Sequence, residues 1–438
     1  MKIADLAGKA VAILGAGVEG RAALTAIGSR IGYEQLTLLD EKPLDPHAEA
    51  ATRWGPLAEL ELGRFDVVIR SPGFSVYRPE LVAARRAGVR FSSGTELWLA
   101  EGPGAPVIAV TGTKGKSTTS SLLTHLLTAA GLTARLGGNI GQPVLSFLDL
   151  KDQHKLPDWF VVELSSYQIV DLAGTVEIAV LTNLLTDHLD WHGSLAQYHQ
   201  DKRRLLAMAS VGTVAHEGAR GTLAGQGVSE WAGSDASWQV RGNEVRRAGK
   251  QVGELAGWQL PGRHNLDNLE VALATLALTG ADVEAALAAA SRFDPLPHRL
   301  QPVSGVARAR CINDSIATTP DATIAALRCF REEPLVLIVG GFERQQDWAG
   351  LARELEAAPV TEVIVQGEGA ERLTDALTSL APTQKHRRCS DLEAAVALAF
   401  LSCEESGVIL LSPGAPSFDQ FADFQERGEA FIRLCQAY

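Results

Sequence analysis

An apolar run that stops at two glycines and reopens as a helix limits this chain more than any other stretch: Val107-Ile-Ala-Val-Thr-Gly-Thr-Lys-Gly-Lys-Ser-Thr-Thr119. A buried strand, a turn of small residues at Gly112 and Gly115, and a helix entered through Lys116, Ser117 and Thr118 make a β-α unit. Small residues let backbone N–H groups curl round a polyphosphate, and the helix N-terminus faces the anion. The lysine neutralises phosphate charge, and the Ser or Thr hydroxyl is a Mg2+ ligand. The spacing G-x-x-G-K-S is two residues shorter than the usual G-x-x-x-x-G-K-[ST]. Taken alone, it reads either as a nucleotide loop or as a glycine turn ahead of a surface lysine.

The chain has 438 residues, 46% of them apolar. That is core enough for roughly two to four domains and argues against disorder. A balance of 40 basic against 52 acidic residues, net -12, argues against nucleic acid as a general partner but leaves room for a local basic pocket. Cys311, Cys329, Cys389, Cys403 and Cys435 make no C-x-x-C pair, which suggests free thiols in a reducing cytosol. The opening Met1-Lys-Ile-Ala-Asp-Leu-Ala-Gly-Lys9 lacks the apolar core of a signal peptide, and no apolar run reaches transmembrane length. The expectation is a cytoplasmic protein without membrane insertion.

Residues 9–14 read as a short strand, followed by Gly15-Ala-Gly-Val-Glu-Gly20 and a helix at 21–27. This is the order of a G-x-G-x-x-G dinucleotide fingerprint. A strand at 36–40 ends on Asp40, where a ribose-binding carboxylate would sit. Gly15, Ala16, Gly17 and Asp40 are therefore ligand candidates, unless the glycines only permit close helix–sheet packing. A third strand, 65–70, runs into Ser71-Pro72-Gly73, a turn at a strand's carboxyl end, where open α/β sheets bind ligands. Gly102-Pro-Gly104 marks a boundary.

After the phosphate loop, 117–130 is a helix with Leu122, Leu123, Leu126 and Leu127 as core. Asn139 lies in Gly137-Gly-Asn-Ile-Gly141, a turn that either faces a ligand or simply connects. The strand at 158–163 ends in Glu163, a natural Mg2+ ligand beside a phosphate loop. The strand at 178–183 leads to Asp187-His-Leu-Asp-Trp-His192, where His188 is a metal or substrate candidate and His192 is more ordinary as a structural histidine. From composition, Lys202 is one cation of a solvated helical face. Residues 212–216 and the run 238–257 predict a small antiparallel patch covering the central core. Asn265 and Asn268 share a helix face and either contact a nucleotide base or cap the helix. A third unit opens near Leu296 with Arg299, a phosphate-clamp candidate. Strands at Cys311, Leu335, Glu362 and Val408 alternate with helices as in a doubly wound parallel sheet, and 418–437 closes the chain as a helix.

Laid out together, Thr111-Gly-Thr-Lys-Gly-Lys-Ser-Thr118, Gly138-Asn-Ile-Gly141, Glu163-Leu-Ser-Ser166, Asp187-His188, Tyr198 to Lys202, His264-Asn265 with Asn268, Pro297-His-Arg299 and Asn313-Asp-Ser315 resemble the Mur ligases. These are cytoplasmic ATP-dependent amide ligases that build the peptidoglycan stem peptide. The resemblance runs nearly end to end, and the shortened loop is that family's form. It implies an α/β protein of three domains. The first, 1–102, is Rossmann-like and binds the UDP substrate. The second, 103–298, is a P-loop ATPase-type parallel sheet with the small antiparallel patch. The third, 299–438, is a doubly wound Rossmann-like domain that binds glutamate.

The resemblance also assigns roles. Gly112, Thr113, Lys114, Gly115, Lys116, Ser117 and Thr118 would hold ATP, with Asn265, Asn268, Arg299 and Asp314 completing that site. Mg2+ would lie on Ser117, Glu163, His188 and Lys202, the last as a carbamate. Lys116, Glu163, His188 and Lys202 would carry catalysis. Gly15, Ala16, Gly17, Asp40, Ser71, Pro72, Gly73 and Asn139 would meet the UDP substrate.

Within the family the chain is most similar to the glutamate-adding branch that acts on UDP-N-acetylmuramoyl-L-alanine, a placement supported by Asp419-Gln-Phe-Ala-Asp-Phe-Gln-Glu-Arg-Gly428. The implied amino-acid contacts are Thr318, Arg344, Ser417 and Phe424. Where the D-glutamate-adding pattern has two lysines, this chain has Ile316 and Arg344, and Pro413-Gly-Ala-Pro-Ser417 also departs from it. Two carboxylates need cationic or hydrogen-bonding partners, so these changes redraw the pocket. With His188-Leu-Asp-Trp-His-Gly193 and Ser165-Ser-Tyr-Gln168, they resemble the branch that adds L-glutamate. The alternatives are D-glutamate ligation, a folylpolyglutamate synthase-like ligase, and a non-enzymatic nucleotide-binding protein. The implied enzyme is a monomer that takes ATP, Mg2+, the UDP substrate and glutamate.

Overall fold

Aliphatic runs without polar alternation suit strands buried on both faces, and the chain places them at the middle of three sheets. The computed structural model describes residues 1–46, 50–186, 189–258, 260–358 and 360–438. The first sheet contains β1 (Val11–Leu14), β2 (Leu36–Asp40), β3 (Ala51–Trp54), β4 (Val67–Arg70) and β5 (Arg90–Ser92), all parallel, in the order β3-β2-β1-β4-β5. The order reverses between β1 and β4, whose carboxyl ends carry Gly15 and Ser71, the switch point at which such sheets bind ligands. Helix α1 (Val18–Ile31) follows β1 and starts three residues earlier than expected, with Gly17 as its N-cap.

The second sheet holds β6 (Val107–Thr111), β7 (Ala134–Gly138), β8 (Trp159–Glu163), β9 (Val176–Leu181), β10 (Ala209–His216), β11 (Glu230–Ala232), β12 (Trp238–Arg241), β13 (Glu244–Arg247) and β14 (Lys250–Glu254). Its order is β14-β13-β12-β11-β10-β9-β6-β8-β7. Two expectations change here. Residues 212–216 are part of β10, parallel to β9, because Val214 and Ala215 are wholly buried in the sheet. The antiparallel patch is β12–β14, and it extends the edge of the main sheet rather than covering the core. Helices α2 (Lys116–Ala129), α3 (Ser166–Ile169), α4 (Leu189–His192), α5 (Leu195–Arg203) and α6 (Arg263–Leu278) belong to this part of the chain.

The third sheet contains β15 (Gln301–Pro302), β16 (Arg310–Asn313), β17 (Leu335–Val339), β18 (Val360–Val365), β19 (His386–Arg388) and β20 (Val408–Leu411), in the order β15-β16-β20-β17-β18-β19, with only β15 antiparallel. Helix α7 (Pro320–Leu327) follows β16, and α8 (Phe424–Gln436) ends the fold. Helix α8 starts later than the 418 of the sequence reading, because the Asp423 carboxylate caps it by accepting from Glu426 N–H.

The chain divides into two compact units, Met1–Trp258 with Leu266–Phe293, and Gln259–Asn265 with Asp294–Tyr438. The first unit contains the first two sheets, which share one apolar core. In it Trp98 meets Phe160 edge-on at 5.3 Å and Phe147 at 6.2 Å. A wholly buried arginine joins the same two sheets. Arg70 pairs with Asp171 at 2.8 Å and donates to the Tyr167 and Phe74 carbonyls. All five cysteines are free thiols. Among the described residues no helix is long and apolar enough to cross a membrane.

Candidate active site

In the first sheet, Gly15 has φ +103, and a Cβ there would stand 2.7 Å from that of Ser71. The Ser71 hydroxyl donates to the Gly15 carbonyl at 3.2 Å. Asp40 accepts from the N–H groups of Ala16 (2.7 Å) and Lys42 (3.0 Å), so its carboxylate shapes the glycine loop. Gly15, Ala16, Asp40 and Ser71 are thus brought together, with Pro72 and Gly73 continuing the turn. Glu19, which the sequence reading passed over, is bonded to Gln168 at 3.1 Å, and burial raises its carboxyl to about 7 against the lowering effect of that bond.

In the second sheet, the loop between β6 and α2 is clamped by the tip of β9. Thr113 N–H donates to Asn183 O, Lys114 N–H to Asn183 Oδ1 (2.9 Å), and Thr182 Oγ1 to Lys114 O (2.6 Å). The pair Thr182-Asn183 is a polar ending on an apolar strand, a signal present in the sequence and not used. Gly112 has φ +152, and a Cβ would lie 1.9 Å from Thr182 Oγ1, so no other residue fits. Gly115 takes the left-handed conformation that starts α2, and a Cβ there would meet Asn268 Oδ1 at 2.3 Å. Asn268 also accepts from the Thr119 hydroxyl at 3.2 Å. Asn265 instead donates to Pro261 O at 2.7 Å, a bond one turn back.

The loop's cations converge on one carbonyl. Lys116 Nζ donates to Gly112 O and Thr113 O, each at 3.1 Å, and Lys202 Nζ donates to Gly112 O at 2.8 Å. Lys202 is 1% exposed and lies 4.9 Å over the Tyr198 ring. The solvated-face reading of Lys202 is therefore wrong. Tyr198, Asp201 and Lys202 form the inner side of α5. Tyr198 reaches the loop as well, donating to Thr113 Oγ1 at 3.0 Å.

Glu163, at the tip of β8, is 1% exposed. Its Oε1 accepts from Asn139 Nδ2 at 2.8 Å, while its Oε2 is buried with no hydrogen-bond partner among the described residues. A buried, unmatched carboxylate oxygen beside a phosphate loop fits an oxygen-seeking divalent cation. An ammonium is no metal ligand, so Lys202 fits the same cation only as a carbamate. His188 lies outside the described residues. His192 is structural: Nδ1 donates to Asp201 (2.7 Å) and Nε2 faces Ser166 Oγ (2.9 Å).

In the second compact unit, Asp314 at the tip of β16 is buried. It accepts from Leu300 N–H (3.1 Å) and the Ser412 hydroxyl (2.9 Å). Burial raises its carboxyl to about 7 against the pull of those bonds and of Arg299. Arg299 sits between His298 (φ 61) and Leu300 (φ 43), both in the left-handed region. Such strain persists where the surroundings hold a side chain in place, and Arg299 Nε is buried without a partner among the described residues.

Three loops carry the amino-acid candidates. Phe342 N–H donates to Pro416 O and Gly414 N–H to Ala317 O, each at 2.9 Å, which joins the loops of Arg344, Ser417 and Thr318. Ser315 Oγ donates to Phe424 O at 2.8 Å. Arg344 lies 5.4 Å over the Phe418 ring. Arg427, part of the 419–428 stretch but given no role from sequence, braces this region. It is buried and donates to Ser315 Oγ, Ser315 O and Ala415 O, and burial lowers it to about 10.

Residues 110–276 match the model of the Mur ligase middle domain, and 298–414 that of the Mur ligase, glutamate ligase domain. Along 99% of its length the chain is 39% identical to a UDP-N-acetylmuramoyl-L-alanine--L-glutamate ligase of Xanthomonas euvesicatoria pv. vesicatoria, covering 96% of that protein. A protein of the same name from a Micromonospora species is 38% identical, with 98% and 97% covered. Among solved structures, the fold is similar to the UDP-N-acetylmuramate-alanine ligase MurC of Thermotoga maritima, with a TM-score of 0.64 at 19% identity over 98% of this chain and 99% of that one. It is also similar to the MurF ligase of Thermotoga maritima in complex with ADP, with a TM-score of 0.61 at 14% identity over 98% and 94%.

Proposed function

The chain belongs to the Mur ligase family, and on that premise we propose that it joins L-glutamate to UDP-N-acetylmuramoyl-L-alanine in peptidoglycan synthesis, converting ATP to ADP and phosphate. The observation that carries this reading is the near full-length likeness to proteins named for that reaction. It comes with the domain roles 1–102 for the UDP substrate, 103–298 for ATP and 299–438 for glutamate, in a cytoplasmic monomer.

The chemistry follows from charge. A carboxylate is a poor electrophile, so its oxygen first takes the γ-phosphoryl group of ATP; the bond to ADP breaks and an acyl phosphate forms. The glutamate amine then attacks the acyl carbon. Phosphate leaves with its bonding pair, and the neutral amine gives up one proton and keeps the other as the amide N–H. Lys116 offsets charge on the transferring phosphoryl group, and the N–H groups at 113–118 orient the polyphosphate. Lys202 loses one proton to become the neutral amine, adds CO2 through its nitrogen and loses a second proton, becoming a carbamate anion. Mg2+ held by Ser117, Glu163, His188 and that carbamate would act as a Lewis acid toward phosphate oxygens. Asn139 keeps Glu163 aimed. Arg344 and Ser417 pair with the glutamate carboxylates, and Ile316, where the related pattern has a cation, shifts the pocket toward the L stereoisomer.

The test is ADP release by the purified protein with UDP-N-acetylmuramoyl-L-alanine and either glutamate stereoisomer. Turnover with L-glutamate well above D-glutamate is expected. Equal or faster turnover with D-glutamate refutes the stereochemical assignment, and none with either refutes the activity.

A further inference from the structure

Asp201 stands next to Lys202 on α5, and its buried carboxylate collects hydrogen bonds from three other side chains. His192 Nδ1 reaches it at 2.7 Å, the Tyr77 hydroxyl at 2.8 Å and Gln197 Nε2 at 2.8 Å. With Nδ1–H given to the carboxylate, His192 Nε2 accepts from the Ser166 hydroxyl at 2.9 Å. Ser166, His192 and Asp201 have the connectivity of a Ser-His-Asp nucleophile, but Ser166 is 1% exposed and His192 4%. No substrate reaches that hydroxyl, so the chain of bonds serves something other than attack.

Its ends identify what it serves. Ser166 is three residues beyond Glu163. Tyr77 lies in the connection between β4 and β5 of the first sheet, four residues past the Ser71-Pro72-Gly73 turn, and the same segment donates from Ser75 Oγ to Trp191 O at 3.0 Å. Tyr77 meets Trp191 edge-on at 5.8 Å, and Trp191 stacks on Tyr167 at 4.4 Å. Burial and the neighbouring Asp201 carboxylate push the Tyr77 phenol upward, so it remains a hydrogen-bond donor. The segment after the substrate turn, through Tyr77, and the residues after the tip of β8, through Ser166 and His192, are therefore linked to the lysine helix at one carboxylate.

We propose that Tyr77, Asp201, His192 and Ser166 are positioning residues that set Lys202 against the Gly112 carbonyl and make its placement depend on the first-sheet segment following Ser71–Gly73. The inference rests on the reading of Lys202 as a carbamate. A lysine moved by about an ångström no longer holds its carbamate where the loop can stabilise it, so the carbamate is lost to free CO2 and the rate falls with it; a displacement of that size costs up to roughly 100-fold.

The test uses the full-length protein with Tyr77→Phe, which removes one oxygen from a residue 41% exposed and leaves its ring contacts. Ser166→Ala tests the far end of the chain of bonds. Each is measured for kcat and for KM of ATP and of the UDP substrate, with the Lys202 carbamate followed by 13C NMR in labelled bicarbonate. Tyr77→Phe should lower kcat by roughly 10-fold or more with little change in either KM. Its carbamate signal should be weaker at ambient CO2, and added bicarbonate should restore signal and kcat together. Unchanged kcat, with or without lower thermal stability, overturns the proposal. So does a loss confined to KM, or a fall in kcat with the carbamate intact. If the wild-type protein shows neither carbamate nor ligation, the Lys202 reading itself fails, a result distinct from all of these.

Discussion

Replacing Asp314 by Asn should stabilise the second compact unit at neutral and alkaline pH and leave it nearly unchanged at acidic pH. The Asp314 carboxyl is 5% exposed and raised by burial from 3.8 to about 7. The raised value fixes the sign. Between those limits the unfolded chain releases this proton while the folded chain keeps it, so stability falls as pH rises through the window. Below it both states are protonated and nothing is lost; above it both are ionised and the full penalty remains. At about 1.36 kcal/mol per pH unit, the displacement corresponds to roughly 4 kcal/mol. Asparagine fits the same space, since its Oδ1 still accepts from Leu300 N–H, and the Ser412 hydroxyl, freed to accept, has Thr323 Oγ1 at 3.3 Å for its own proton. Urea unfolding of wild type and variant from about pH 4 to about pH 8 should give curves that meet at the acid end and diverge above it. Glu19, also raised to about 7, adds a slope of the same sign to both proteins and cancels in the difference. Parallel curves would refute the reasoning. So would a variant less stable at pH about 8, which would mean that the buried carboxylate is stabilised by something its bonds do not reveal.

Two further substitutions probe the first unit. Glu163→Gln keeps the Asn139 bond to Oε1 but replaces the unmatched oxygen, and should move the Mg2+ dependence of ATP turnover to concentrations at least about 10-fold higher; an unchanged Mg2+ titration excludes Glu163 as a ligand. Arg70→Ala strips the partners from Asp171 and from the Tyr167 and Phe74 carbonyls, and should cost roughly 3–5 kcal/mol in urea unfolding, whereas a loss below about 1 kcal/mol would show that the pair adds nothing over its desolvation.

What the sequence made legible follows the range of the interactions involved. The phosphate loop is local: a strand, two glycines and a helix start, all within thirteen residues. The sheets were legible for the same reason, as runs such as 335–339 admit few other folds. Lys202 was not, because nothing in Tyr198-His-Gln-Asp-Lys202 says which side of α5 is buried; that depends on Gly112, ninety residues away, and on Tyr77. The bracing role of Arg427 was not legible either: the stretch 419–428 was noted, but the partners Ser315 and Ala415 lie on other loops. The antiparallel strands were expected within the polar run 238–257, but their attachment to the main sheet was not, since strand pairing is a long-range property.

The same distinction bears on where the amino acid is chosen. Gly112 and Gly115 are fixed by backbone geometry and leave no freedom to vary: a Cβ at either clashes with Thr182 or Asn268. Arg344 is fixed by nothing comparable. Its guanidinium rests on the exposed Phe418 ring, and its main chain is tied by one bond from its N–H to Gln346 Oε1. Arg427, by contrast, is buried and ties the Ser315 and Ala415 loops together by its own bonds. A pocket built this way can exchange one surface cation for another, or a lysine for Ile316, without disturbing the buried frame. On the proposed reading, selection between glutamate stereoisomers would rest on side chains such as Arg344, whose replacement costs the fold little, while the loop between β6 and α2 is held by contacts that admit no substitute.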